Sequence, residues 1–341
     1  MTVTIKDIAR MANVSHTTVS RALKDSPEIG EETRRRIKEL AQRLNYTSNA
    51  LARGLVLKRS DSIGLVIPDI INPYYAHISK AIENVASGRN FSLIICNTDR
   101  NPEKERHYLQ FLRAKQVDGI IMVPVTNRPE PLQDLVRDGI PLVLIDNWVP
   151  GVTADFITND NFAGAAAAVR HLIRRGKRRI AHFAGPRDSF ASQERLRAYR
   201  QVMAEQGLAV PEAWVISTNA TFEEGERTAR QLLHAGELPE AIFAVNDVVA
   251  MGALKYFYRK GVRVPEDLAL VGYDDIEMVA MLPVALTTVR QRKHELGRTA
   301  AQMILERILA PDEAREYRNV TLQPRLVVRK SCGEPEEERM G

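Results

Sequence analysis

The chain has 341 residues, 44% apolar and 27% charged, a composition that excludes disordered, collagen-like and disulfide-rich classes and suffices for two or three packed domains. The net charge is +5, and residues 1–60 hold 12 Lys and Arg against 6 Asp and Glu, so the basic excess lies at the N-terminus, where it suits a phosphate-binding surface. Cys96 and Cys332 are too few and too far apart for a disulfide framework or zinc site, and neither a signal peptide nor a membrane-length apolar run is present, which predicts a cytoplasmic protein with no membrane partner.

The chain opens on a short amphipathic helix. Ile5, Ile8, Ala9 and Ala12 fall at i, i+3, i+4 and i+7 and define one inward stripe. Asn13, Val14 and Ser15 make a tight turn, with Ser15 as N-cap of a second helix over 16–24. That helix buries Val19, Ala22 and Leu23. It turns His16, Thr17, Ser20, Arg21 and Lys24 outward. Two short helices joined by a three-residue turn describe a helix-turn-helix, and Arg21 can reach a guanine edge or a phosphate. A third helix begins at Glu31 and carries Arg34, Arg35, Arg36, Lys38 and Arg43 around an apolar stripe. The segment 49–57 has Ala50, Leu51, Ala52 and Leu55 in helical register but is too short to be stable alone.

Residues 58–62 read as a polar linker. Beyond them apolar runs at 63–68, 91–97, 119–125, 141–146, 156–159, 180–185, 214–217, 241–246 and 268–273 alternate with helical patterns at 74–87, 102–115, 130–138, 161–175, 193–206, 223–235, 248–260 and 293–309. Such alternation predicts parallel sheets covered on both faces, and about ten strands exceed one comfortable sheet, so two α/β lobes are expected.

Ligands of open α/β sheets bind beyond the carboxyl ends of the strands. The polar residues there are Asp69, Tyr74 and Tyr75 after the first strand, Asp146 after the fourth, Asp160 after the fifth, Arg195 at the start of a helix, and Asn246 and Asp274 after later strands. Carboxylates, an Arg fork and an aromatic face suit a hydroxyl-rich ring. Asp247 and Asp275 read as helix N-caps. No P-loop, G-x-S-x-G, H-E-x-x-H or strand-linked G-x-G-x-x-G occurs, and the seven His have no metal-ligand spacing, so no catalytic residue, metal or cofactor is expected; His182 reads as a core residue.

The strings TIKDIARMANVSHTTVSRAL, IGEETRRRI and LNYTSNALARGL, with the alternating core behind them, resemble the LacI/GalR-type (lactose/purine repressor) family of bacterial transcription regulators over nearly the whole chain. The resemblance implies an N-terminal all-α helix-turn-helix headpiece with a hinge helix. A two-lobed periplasmic-binding-protein-like core of doubly wound parallel sheets follows. It divides the chain into a headpiece (1–48), a hinge helix and linker (49–61), a core (62–331) and a polar tail (332–341). Lobe one takes about 62–160 and 290–320, lobe two about 161–289 and 321–331.

The resemblance adds Thr4, Asn49, Ala52 and Leu55 to Ser15, His16, Thr17, Ser20 and Arg21 as DNA contacts, Leu55 as a minor-groove wedge. It also matches Arg195, Asn246 and Asp274 to the family's pocket. Ser48 departs from the family's Pro. Ser189, Ala191 and Ala220 depart from the Arg, Thr and base-stacking Phe of the purine-binding members, and Phe222 takes the Phe place only if the loop shifts. The expectation is therefore a homodimeric repressor on a palindromic double-stranded operator, controlled by a sugar-like effector. Two other readings stay open: a catabolite-control-type regulator with a phosphocarrier-protein corepressor, and a sugar-binding protein that does not bind DNA.

Overall fold

The computed structural model describes residues 3–23, 25–44, 46, 59–236, 238–310 and 316–333. The chain forms two compact units, residues 1–60 and 61–341. Asn49, Ala52 and Leu55, and with them the hinge helix, lie outside the described residues.

In the first unit α1 (Ile5–Ala12) starts at a capping box. Thr4 accepts from the Asp7 N–H, and the Asp7 carboxylate accepts from the Thr4 N–H. Asn13, at φ 51°, ends the helix in the left-handed region that Asn tolerates. The Ser15 hydroxyl accepts from the Thr18 N–H at 3.0 Å and so caps α2 (His16–Leu23). The third helix, α3 (Glu31–Arg43), closes the unit. Ile8, Val19 and Ile37 meet fully buried at its centre, contributing about 1.5–3 kcal/mol each. One of the basic residues of α3 is structural: Arg36 donates to the Ala12 carbonyl and ties α3 to the end of α1.

The second unit holds two six-stranded sheets. The first is built from β1 (Ser62–Ile67), β2 (Ser92–Asn97), β3 (Gly119–Met122), β4 (Leu142–Ile145), β5 (Asp155–Asn159) and, late in the chain, β11 (Asn319–Leu322), in the order β11-β5-β4-β3-β1-β2, all parallel. Helices α4 (Pro73–Ser87), α5 (Pro102–Ala114), α6 (Glu130–Arg137) and α11 (Lys293–Leu309) belong to this lobe, with α4 packed on α11. The second sheet contains β6 (Ile180–Ala184), β7 (Val215–Ser217), β8 (Ala241–Ala244), β9 (Ala269–Asp274), β10 (Thr287–Arg290) and β12 (Arg325–Val327), ordered β12-β10-β9-β8-β6-β7, with β12 antiparallel. Its helices are α7 (Asn161–Arg174), α8 (Phe190–Glu205), α9 (Phe222–His234) and α10 (Asp247–Arg259). Inner strands such as β4 and β9 are buried along their whole length, as parallel strands covered on both faces require.

The chain passes between the lobes three times: from β5 to α7, from β10 to α11, and from β11 to β12. These crossings are bonded to one another. The Arg292 N–H donates to Asn159 Oδ1 at 2.9 Å, Arg292 Nε to the Gln323 carbonyl at 3.3 Å, and Gln323 Nε2 to Asp160 Oδ2 at 3.5 Å. The segment 319–327 forms two strands, β11 and β12. Pro324 has no N–H to continue a ladder, so the chain leaves the first sheet after Leu322, two residues later than expected. At the other crossing Arg290 still belongs to the second sheet. Cys332, expected at the head of a polar tail, is buried in the second lobe, its carbonyl held by Arg175 Nε. No helix among the described residues is long and apolar enough to cross a membrane.

Candidate functional site

A cavity of about 540 Å³ opens between the lobes at the carboxyl ends of the strands. Its floor is a run of polar side chains that passes from lobe to lobe. Asp146 leaves β4 at φ 60°, and its Oδ2 accepts from the Tyr74 hydroxyl at 2.7 Å. That hydroxyl lies 3.2 Å from Gln291 Oε1, and Gln291 Nε2 donates to Asp274 Oδ1 at 2.6 Å. Asp274 ends β9 at φ 118°, a strained conformation for a residue with a side chain. Arg195, 6% exposed, stacks on the Tyr273 ring with its guanidinium 3.7 Å from the centroid. Its Nε donates to Asn161 Oδ1 and its Nη1 to the Val245 carbonyl, which leaves Nη2 without a partner among the described residues.

Burial sets the protonation of this floor. It pushes the Asp274 carboxyl up to about 6, against the opposing pull of Arg195. It also raises Asp146 and lifts the Tyr74 hydroxyl well above its ordinary range. Tyr74 is therefore a donor at neutral pH.

Of the eight ligand candidates read from the sequence, Tyr74, Tyr75, Asp146, Arg195, Asn246 and Asp274 line the cavity. Asp69 and Asp160 do not. Asp69 accepts from the Ile71 N–H in its own turn. Asp160 caps α7 through the Ala163 N–H and holds Gln323 at the lobe crossing, so it is a hinge residue. Asn246 lines the cavity but has both amide ends engaged, with Val249 N–H and the Ala220 carbonyl.

It is Asn246, not Asp247, that caps α10. Asp247 is fully buried, accepts from Thr288 Oγ1 and the Ile276 N–H, and is raised by burial. It sits against Gly272, where a Cβ would stand 2.2 Å from Asp247 Oδ1. Nor does Asp275 cap a helix. It is paired with Arg290 and Arg329, which hold its carboxyl below the usual range despite burial. His182 is a core residue, stacked on Phe243 and held near 4 by burial.

Sequence reasoning missed Gln291, Asn147 and Arg100. Gln291 stands in the string VRQRKH and reads as linker; its role depends on the crossing. Asn147 follows Asp146 at a strand end, which was a usable signal. Its Nδ2 donates to the Pro124 carbonyl, and its Oδ1 accepts from Ser189 Oγ at 3.0 Å and the Ala191 N–H at 3.3 Å in the other lobe. Beside it Phe156 and Phe190 meet edge-on across the lobes.

In the first unit His16, Thr17 and Arg21 are exposed and Ser20 half-buried, all on α2. Arg21 pairs with Glu28 at 2.6 Å, with both side chains more than half exposed. An exposed pair of this kind contributes about 0–1 kcal/mol and is readily exchanged for a phosphate or base. Thr4 and Ser15 have their hydroxyls engaged in caps, so any DNA contact from them shares an atom already bonded.

Residues 4–49 match the family described as bacterial regulatory proteins, lacI family, and residues 169–332 match a periplasmic binding protein-like domain. The HTH-type transcriptional repressor PurR of Haemophilus influenzae is 35% identical over 331 residues, covering 96% of this chain and 98% of that protein. The ribose operon repressor of Halalkalibacterium halodurans is 37% identical over 305 residues, covering 89% and 90%. Among solved structures, the Lac repressor dimer bound to operator and the anti-inducer ONPF aligns with a TM-score of 0.86 at 27% identity, covering 98% of this chain and all of that one. A complex of the transcriptional regulator CelR with cellobiose aligns at 0.73 with 30% identity, covering 96% and 99%.

Proposed function

The chain belongs to the lacI family of bacterial regulatory proteins, a family of DNA-binding transcription regulators, and we propose that it is a cytoplasmic, non-enzymatic homodimer that represses from a palindromic operator and is controlled by a sugar or sugar derivative held between its lobes. The DNA-facing elements are α2, with His16, Thr17, Ser20 and Arg21, and the segment of Asn49, Ala52 and Leu55. A two-fold dimer presents two copies of α2, so the operator mirrors that symmetry.

The observation that carries the effector reading is the floor from Asp146 through Tyr74 and Gln291 to Asp274. It offers carboxylate acceptors and a hydroxyl to a ligand bearing several hydroxyls. The aromatic faces of the cavity are Tyr74 and Tyr75. Ala220 lines it without a ring, and Phe222 lines a different groove with Leu254 and Val262, so a stacked purine has no partner at that wall. A ribose operon repressor and a cellobiose complex stand among the relatives, in keeping with a carbohydrate.

Because the floor spans both lobes, a ligand that replaces its internal bonds favours one lobe arrangement over another. That difference is coupled to the operator-binding unit as a population shift. The test is thermal unfolding of the full chain against sugars, sugar phosphates and nucleobases, followed by operator titration with each hit. A ligand at 100 times its dissociation constant stabilises by about 2.7 kcal/mol. A nucleobase that stabilises and alters operator affinity, with no sugar doing so, would overturn the reading.

A further inference from the structure

We infer that the molecule taken by this cleft is an anion as well as a polyol, a sugar phosphate or sugar acid whose charged group is received by Arg100; the inference rests on the cleft being the effector site.

Arg100 is placed by a built turn after β2. Asn97 accepts from the Ile70 N–H at 3.0 Å and donates to Asp99, Lys104 pairs with Asp99, and the Arg100 N–H donates to the Pro68 carbonyl at 3.1 Å. Asp99 and Arg100 both adopt left-handed backbone, at φ 50° and 56°. Two successive residues with side chains in that region are unfavourable and persist only where surrounding bonds impose them. The result is a guanidinium directed to the cavity wall.

The guanidinium has no hydrogen-bond partner among the described residues. Its side chain is 19% exposed, and its Nε is shielded and unbonded. The nearest carboxylate oxygen, on Asp69, stands 4.0 Å away, beyond hydrogen-bond reach. Of the other arginines that line the cleft, Arg187 is exposed to solvent and two are bonded within the protein, Arg195 with its Nη2 left over. Arg195 holds Asn161 and the Val245 carbonyl, and Arg227 makes a two-pronged pair with Glu224. Asp69, at 4.0 Å and without a hydrogen bond, compensates this partly sheltered cation only weakly. A phosphate or carboxylate presents the paired oxygens that match its fork. The carboxyls of Asp146 and Asp274 would repel the same group, so the anion belongs at the Arg100 end and the hydroxyls at the Asp end. A neutral sugar would satisfy only half of this cavity.

Inorganic phosphate is the first probe. At constant ionic strength set with chloride, millimolar phosphate raises the unfolding temperature of the full chain and does not raise that of Arg100→Gln. Arg100→Lys recovers part of the shift, because it returns the charge without the fork. Ribose, ribose 5-phosphate and ribonate then separate the sources of the anion. At least one charged member binds about tenfold or more tighter than ribose, and Arg100→Gln removes that preference while leaving ribose binding as it was. No phosphate shift in the wild type, an equal shift in Arg100→Gln, or a preference for neutral ribose each overturns the inference. Neutral ribose that changes operator affinity through Asp274 would sink the anion alone and leave the effector reading standing. An Arg100-dependent phosphate shift with no sugar altering operator binding would support the anion site and sink the effector reading instead.

Discussion

Replacing Glu105 with glutamine removes a carboxyl that is 5% exposed, one turn into α5 and directly behind the effector cavity. Glu105 Oε2 accepts from the Val125 N–H at 2.7 Å, and Val125 and Thr126 line the cavity wall. Arg106 and Arg113, which share its surroundings, are engaged by Glu103 and Asp138. Burial pushes the carboxyl from 4.5 up to about 7, with the Val125 bond opposing. The native state thus holds this proton to a higher pH than the unfolded chain does. Its contribution to stability is complete below pH 4.5 and is lost as pH rises through 7. At 1.36 kcal/mol per pH interval the loss amounts to about 3 kcal/mol. Glutamine keeps an acceptor for Val125 and has no proton to lose. Glu105→Gln should therefore match the wild type near pH 4.5 and exceed it by about 2–3 kcal/mol at pH 8, roughly 3–5 °C in unfolding temperature. The assay is thermal unfolding of both full chains from pH 4.5 to 8. Two parallel curves would refute the reasoning, and so would a variant less stable at pH 8, which would mean that the carboxylate is favourable where it sits.

Arg21→Ala should weaken operator binding by about 1–3 kcal/mol per half-site and leave thermal stability unchanged, since the side chain is exposed; an unchanged gel-shift titration would place Arg21 outside the interface. Asp274→Asn should weaken ligand binding by about 1.5–3 kcal/mol while operator affinity of the free protein is kept; calorimetry with the stabilising ligand measures the first and fluorescence anisotropy the second. Asn147→Ala removes two bonds to the opposite lobe and should lower stability by about 1–3 kcal/mol and reduce the ratio of operator affinities with and without ligand; a normal ratio would mean that the lobes communicate elsewhere. Gln291→Ala should preserve ligand binding better than Asp274→Asn does, yet diminish the operator response more, as read from paired titrations.

What was legible in the sequence is what rests on local pattern. The stripe of Ile5, Ile8, Ala9 and Ala12 announces α1 because each of those contacts repeats with the turn of the helix. Ser15 is legible as a cap because its bond reaches only to Thr18. The cavity residues Asp146 and Asp274 could be found because strand ends converge in this topology whatever the helices do. What could not be read depends on partners far along the chain. Asp160 has the same local setting as Asp146, a carboxylate after a buried strand, and only Gln323, brought back by the last crossing, makes it a hinge residue. Asp247 looks like a cap because Asn246 and Asp247 both suit one; the choice is decided by Thr288 and the Ile276 N–H on β10 and after β9. Arg36 looks like a phosphate contact until the Ala12 carbonyl claims it. Arg100 carries no motif, and its lack of a side-chain hydrogen bond is a property of distances.

The placement of Gln291 links the cavity floor to the lobe crossings. Gln291 donates to Asp274 and lies beside the Tyr74 hydroxyl, and Arg292, the next residue, is bonded to Asn159 and Gln323, one from each of the other two crossings. A peptide bond is planar and its neighbours have only two soft torsions each. A ligand that takes the Asp274 oxygen from Gln291 would release one bond of this passage. The three crossings share one ring of hydrogen bonds, so a change at Arg292 bears on Asn159 and Gln323 together. The strain at Asp274, held at φ 118° by its place at the end of β9, is adjacent to this linkage. Gln291, behind the cavity floor, and Arg292, at the crossings, are consecutive residues of one strand-to-helix passage.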